Sequence, residues 1–119
     1  VIHQCALQTV LSKPIGKLSR GFRQRVGMAN VLLHEPEVLI MDEPTAGLDP
    51  NQILEVRKTI KGLGKTILLS THILQEVPQV ADRIILIHQG RLIFQGTPDE
   101  LKDEPSLDNW FNRRTMDAA

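Results

Sequence analysis

The stretch Val38–Pro50 constrains the fold of this 119-residue chain more than any other segment. It opens with the apolar run Val-Leu-Ile-Met, which is too short for a helix and is typical of a buried parallel strand. Asp42 and Glu43 stand where this strand ends, and open α/β sheets bind ligands at the carboxyl ends of their strands. One such carboxylate can hold Mg²⁺ while the other polarises a water molecule. An acidic surface loop after a core strand would explain the same two residues.

Helices and strands alternate along the rest of the chain. Apolar spacing predicts helices over 1–11, from Ser19 to about 34, over 51–61 and over 73–81, and strands over 66–70, 83–88 and 91–95. This order predicts an α/β fold in which parallel strands with flanking helices are followed by a C-terminal β-hairpin that turns at Gln89-Gly90. Beyond residue 103 the chain is polar apart from Leu107, Trp110 and Phe111, which predicts a fraying tail.

The small number of strands and the composition limit the kinds of protein that this chain can be. Three or four strands are few for a sheet that helices cover on both faces, so we expect an unpaired edge and an uncovered apolar face. Fourteen basic residues balance fourteen acidic ones, which gives no field that would favour nucleic acid. One cysteine, Cys5, excludes an internal disulfide and is expected in the core. No apolar run approaches the roughly 20 residues of a membrane span. With the single cysteine, this favours a cytoplasmic protein. The chain begins without Met and runs straight into a helical pattern, which suggests a fragment.

A second candidate site precedes the helix that starts near Ser19. A serine hydroxyl, the small residue Gly21 and a helix N-terminus together can bind an anion. A serine cap alone would explain the same pattern, because such caps are common.

The histidines and a Gly-Lys-Thr sequence are further candidates for binding residues. His72 follows the predicted strand 66–70, where it could be structural, exposed or part of a site, whereas the other three histidines have no informative context. The histidines and the cysteine lack zinc-ligand spacing. Gly62–Thr66 includes Gly-Lys-Thr, but Thr59 stands where a P-loop needs glycine, and the stretch leads from a helix into a strand. It is interpreted as the turn that ends a helix.

These motifs together resemble those of the ATP-binding cassette (ABC) ATPases. Leu18–Phe22 resembles the family's signature loop, usually Leu-Ser-Gly-Gly-Gln, with departures at Arg20 and Phe22. Val38–Glu43 resembles the Walker B strand, the following turn with Asp49 resembles the D-loop, and His72 lies at the switch-histidine position. The resemblance covers residues 5–101. It implies the C-terminal half of an ABC nucleotide-binding domain with a partial P-loop NTPase fold, most like bacterial ABC-2 and gliding-motility exporter ATPases.

The resemblance assigns a role to each matching residue. Glu43 would be the general base and Asp42 the Mg²⁺ support. His72 would contact the γ-phosphate of ATP. Ser19 and Gly21 would contact ATP held by an opposite subunit, and the D-loop residue Asp49 would communicate between the two nucleotide sites. The Walker A loop, the adenine-stacking aromatic and the glutamine loop are expected upstream.

The resemblance also implies partners and a division of the chain. Residues 1–35 would belong to a helical subdomain, 36–102 to the ATPase core and 103–119 to a tail. The partners would be a second ATPase subunit and a membrane permease, which would place the protein on the inner face of the membrane. Without a Walker A loop the chain alone is expected to be inactive. Its truncated sheet, with an unpaired edge and an uncovered apolar face, is expected to make it self-associate. The alternatives are a non-catalytic interaction fragment and a soluble ABC ATPase that is not linked to transport.

Overall fold

The computed structural model describes residues 1–117 as two compact units, each with its own core. The first unit spans Val1–Thr71, and the second begins at His72. This division reflects packing, whereas the three segments expected above were drawn from motifs, and that expectation stays a prediction. No helix of the described residues is long and apolar enough to cross a membrane.

The first unit contains two long helices and two parallel strands. Its elements are the 3₁₀ turns Gln8–Val10 and Ile15–Lys17, α1 (Arg20–Leu32), β1 (Val38–Asp42), α2 (Pro50–Gly62) and β2 (Thr66–Ser70). α1, α2 and both strands lie where the sequence predicts them. Gly64, at φ +64°, follows the end of α2, which confirms that the Gly-Lys-Thr stretch is a helix-ending turn.

β1 and β2 pair in parallel, from Val38 opposite Thr66 to Asp42 opposite Ser70. One face packs on the core with Leu39, which is 3% exposed, while Ile40 on the opposite face is 79% exposed. The prediction of a buried strand is therefore correct for one face and wrong for the other. The continuous apolar run places apolar side chains on both faces of the sheet, because successive side chains of a strand point to opposite faces.

The predicted helix over residues 1–11 is wrong. The first turn ends at Ala6, which has a φ of +53°. The Leu7 N–H donates to the Ile2 carbonyl at 3.0 Å and the Ala6 N–H donates to the His3 carbonyl at 3.2 Å, the paired bonds of a Schellman motif. Cys5 is nonetheless fully buried, as expected for a small core residue.

The second unit is built on an antiparallel hairpin. Its elements are a 3₁₀ turn (Leu74–Glu76), α3 (Val77–Val80), β3 (Ile84–His88), β4 (Arg91–Gly96), a 3₁₀ turn (Pro98–Leu101) and α4 (Leu107–Asp117). The helix predicted over 73–81 is thus a 3₁₀ turn and a single α-turn. Gln89 and Gly90 both have positive φ, the geometry of a type I′ hairpin turn, which confirms the predicted turn.

The prediction of a fraying tail is wrong, because α4 packs on the hairpin. Ser106 caps the helix by accepting from the Asn109 N–H at 3.2 Å. Trp110 is 6% exposed and meets Phe94 edge to face, with their ring centroids 5.0 Å apart. Spacings of three and four residues put Leu107, Trp110 and Phe111 on one side of α4, where all three pack in this core.

Candidate functional site

The carboxyl ends of β1 and β2 bring Asp42 and Ser70 together. The parallel register places these two residues opposite each other at the end of the sheet. The Ser70 hydroxyl donates a hydrogen bond to Oδ1 of Asp42. This hydrogen bond fixes the orientation of the Asp42 carboxylate.

Ser70 also holds the backbone of Glu43. The Glu43 N–H donates to the Ser70 carbonyl at 2.9 Å, and it lies 3.2 Å from the Ser70 hydroxyl oxygen. Glu43 has a φ of +47°, in the left-handed region that non-glycine residues rarely occupy. The chain then turns away through Pro44 and Thr45, which are both buried. One serine therefore fixes both residues of the acidic pair.

The donor set around Asp42 fits Mg²⁺ that is shared with a phosphate ligand. Among residues 1–117 no cluster of three or more acidic, histidine or cysteine side chains could hold a metal ion by itself. Mg²⁺ bound with nucleotides is commonly held by one or two carboxylates, substrate phosphates and water. The Asp42 carboxylate can supply such a ligand, directly or through water, and the Ser70 hydroxyl beside it adds a polar group.

The turn after the acidic pair ends at the cap of α2. The Gln52 N–H donates to Oδ1 of Asp49 at 2.9 Å, and the Asp49 N–H donates to Oε1 of Gln52 at 3.3 Å. This reciprocal capping box, with Pro50 in the first turn, fixes where the helix begins. Asp49 is thus a helix cap, and this structural role is compatible with a further role in a site.

The N-terminus of α1 carries the second predicted group. The Ser19 oxygen accepts from the Phe22 N–H at 3.2 Å and caps the helix. Gly21 is buried against α2, where a Cβ would lie 3.0 Å from Cγ of Gln52. A Cβ at this position would require the Gln52 side chain to shift by a few tenths of an ångström. The structure therefore brings the Ser19–Gly21 segment against the helix that Asp49 caps.

Phe22, one of the two departures from the family pattern, has a partner within α1. The Arg25 guanidinium lies 4.2 Å from the centre of the Phe22 ring. Arg25 is 6% exposed, and its Nε has no hydrogen-bond partner. The ring thus offers a cation–π contact to a buried positive charge.

His72, the last predicted site residue, follows Ser70 by two positions and is exposed. It is the first residue of the second unit, whereas the other five candidates belong to the first. Its role at the nucleotide stays a prediction.

Sequence reasoning missed Ser70 and Gln52. Ser70 could have been found, because parallel strands end at the same edge of a sheet and this serine is the last residue of its strand. Gln52 is the third residue of α2, the capping-box position after Asp49. Its packing against Gly21 has no signal in the sequence.

Comparison with known proteins identifies the same family along the chain. The model of the ABC transporter family matches residues 1–46. The bacitracin transport ATP-binding protein BcrA of Bacillus licheniformis is 46% identical over 106 residues, which are 86% of this chain and 35% of that protein. The energy-coupling factor transporter ATP-binding protein EcfA2 of Clostridium perfringens is 39% identical over 117 residues, 95% of this chain and 41% of that protein.

A solved structure extends the likeness to the fold. The structure of cbiO1 from Clostridium perfringens, part of the ABC transporter complex cbiONQ, matches with a TM-score of 0.80 and 38% identity. The match covers 98% of this chain and 48% of that one. The α/β fold with a parallel strand pair and a C-terminal hairpin is thus the fold of part of an ABC ATPase. The chain spans about a third to a half of the length of these relatives.

Proposed function

This chain belongs to the ABC transporter ATP-binding family, and on that premise we propose that it is part of an ATP-hydrolysing transporter subunit. The observation that carries the proposal is the acidic pair at the end of β1, which one serine fixes through Asp42 and through the backbone of Glu43. The signature loop and the D-loop lie on the same compact unit, in family order.

Each side chain has one role in this proposal. Glu43 is the general base for the attacking water, and Asp42 supports Mg²⁺, which neutralises charge on the phosphates when bound. His72 contacts the γ-phosphate. Ser19 and Gly21 contact ATP held by an opposite subunit, and Asp49 communicates between the two nucleotide sites. The contacts of Ser70 with the Glu43 N–H support its assignment, because phosphoryl transfer depends mainly on positioning.

The proposed partners follow from the family. We place the complete protein in a dimer of ATPase domains that closes around ATP and docks on a membrane permease, at the inner face of the membrane. Relatives whose names state transport, such as the bacitracin protein, support this assembly. The signature sequence with Arg20 and Phe22 favours the ABC-2 and gliding-motility exporter group.

The 119 residues alone are proposed to be inactive. None of their segments has the glycine pattern of a phosphate-binding P-loop, and backbone amides with a lysine are what such a loop supplies to nucleotide phosphates. The sheet face with exposed Ile40 and Leu68 supports a second proposal for the isolated chain, namely that it associates with other copies.

The test of the main proposal is Glu43→Gln in the complete nucleotide-binding domain. Loss of a general base costs about 100-fold or more in rate, while ATP binding should persist and bound ATP should accumulate. Glu35→Gln is the matched control, because Glu35 is also exposed and also has a positive φ, at +53°. Hydrolysis at the normal rate by the Glu43→Gln domain would show that the base has been misassigned.

A further inference from the structure

Two helix N-termini meet on the first unit. α1 begins after Ser19 and α2 after Asp49, and Gly21 of the one packs on Gln52 of the other at 3.0–3.4 Å from its would-be Cβ. The Ser19 side chain caps α1 and the Asp49 side chain caps α2. Each preceding loop is therefore held by a hydrogen bond at the point where its helix begins. The outer part of this junction, at Arg20 and Gly47, is exposed.

Arg20 spans that outer part. Its Nη1 lies 3.5 Å from the carbonyl oxygen of Gly47, a long hydrogen bond that crosses from the α1 loop to the turn before α2. Gly47 has a φ of +75°, and a Cβ there would lie 2.8 Å from the same nitrogen. The guanidinium therefore occupies the space that a side chain at 47 would need.

We propose that Arg20 is a positioning residue that straps the signature loop to the D-loop, so that both loops face the opposite subunit as one surface. The proposal rests on the function proposed above for Ser19, Gly21 and Asp49. The family pattern has glycine at the position of Arg20, and a glycine has no side chain that could reach Gly47. The departure from the pattern thus supplies a contact that the usual sequence lacks.

The size of the effect follows from the kind of contact. A hydrogen bond within a protein typically changes an equilibrium by about two- to tenfold. Because the two loops that the strap orders are proposed to face the opposite subunit, its loss should lower kcat more than it weakens ATP binding to a single subunit.

A nucleotide-independent experiment tests the contact itself. In the complete domain without nucleotide, Gly47→Ala is introduced with Arg20 present and with Arg20→Ala, and the unfolding equilibrium is measured by urea titration. Arg20→Ala removes the guanidinium that would crowd the Cβ of Ala at position 47. The change in the unfolding constant caused by Gly47→Ala should therefore be at least about twofold smaller in the Arg20→Ala background than with Arg20 present. Equal effects in both backgrounds would overturn the proposal.

A kinetic experiment tests the positioning role. Arg20→Ala should lower kcat for Mg-ATP about two- to tenfold with the Kd of a single subunit unchanged, and Arg20→Lys should restore part of the loss. Arg23→Ala is the matched control, because Arg23 is an exposed arginine of the same helix and should leave kcat unchanged. An unchanged kcat in Arg20→Ala overturns the positioning role. If the unsubstituted domain does not hydrolyse ATP, the proposed function and the positioning role fail, while the urea experiment still decides the contact.

Discussion

Glu43 combines the proposed catalytic carboxylate with an unfavourable backbone conformation. An L-residue at its φ of +47° costs about 1–2 kcal/mol, which the two contacts from Ser70 to its N–H help to offset. Strain of this kind is frequent where function dictates the side chain. Replacing Glu43 with a residue that adopts this φ without strain should therefore raise the free energy of unfolding.

We predict that Glu43→Gly raises the free energy of unfolding by about 0.5–1 kcal/mol and abolishes hydrolysis in the complete domain. Glycine adopts positive φ without steric cost, although its more flexible unfolded state removes part of the gain. Urea unfolding measures the change. Glu37→Gly is the control, since Glu37 lacks a positive φ, and this variant should be destabilised. A Glu43→Gly protein less stable than the starting protein would refute the strain.

Cys5 gives the first unit a pH dependence. Burial raises the pKa of its thiol, and the N-terminal charge and Arg25 act in the opposite direction. Above about pH 8.5 the unfolded chain loses this proton while the native chain keeps it. The unfolded state then binds fewer protons, so stability falls as the pH rises through the native pKa.

The comparison with Cys5→Ala isolates this effect. Relative to that variant, the unsubstituted protein should lose at most about 1.4 kcal/mol of stability per pH unit between about pH 8.5 and 9.5, and nothing between about pH 6 and 7.5. The chain has no tyrosine, so no phenol contributes to the pH dependence in this window. Parallel stability curves for the two proteins would contradict the prediction.

At the scale of elements, α1, α2 and the four strands were predictable, because apolar periodicity and caps agree at Ser19 and at Asp49. The segment 1–11 was not, since nothing in its sequence shows that Ala6 adopts a positive φ and ends the first turn. α4 had a usable signal, a serine cap at Ser106 followed by apolar residues at helical spacing, but its low mean hydropathy masked it.

The site was predictable to the same extent. The acidic pair and the loops are local in sequence and carry family motifs. The contact of Ser70 with Asp42 depends on strand register, and the contacts of Arg20 and of Gly21 with the α2 region depend on how two helices pack. Packing of that kind is decided by side chains that are far apart in the chain.

α4 should depend on Trp110 more than on any other of its residues. Trp110→Ala removes the buried ring that meets Phe94 and is expected to cost about 3–5 kcal/mol. Arg113 and Arg114 are exposed in the folded protein, but a detached α4 would no longer be held in a packed helix. Limited trypsin digestion should therefore cleave after these two arginines faster than in the unsubstituted protein. Met116→Ala is the control, because Met116 lies on the same helix and is 76% exposed. Equal cleavage of both variants would show that Trp110 does not hold α4.

At the scale of the molecule, the β1–β2 sheet has one covered and one uncovered face. Val38, Ile40 and Leu68 lie on the uncovered face at 56%, 79% and 59% exposure. Within residues 1–117, β1 pairs with β2 alone, which leaves one edge of β1 without a partner strand. An apolar face beside an open strand edge favours association between chains, since both burial and backbone pairing are available there.

The isolated 119-residue chain is therefore expected to sediment as dimers or larger species whose share grows with concentration. Ile40→Lys with Leu68→Lys should shift it toward the monomer, because two charges on that face would have to lose their water on contact. Ile87→Lys is the matched control: Ile87 is an exposed strand residue, at 65%, in the second unit, and its change should leave association through the β1–β2 face intact. If the control dissociates the chain as well as the double variant does, the contact lies elsewhere. A monomer at every concentration would show that the exposed face and edge of the sheet do not bind a second copy.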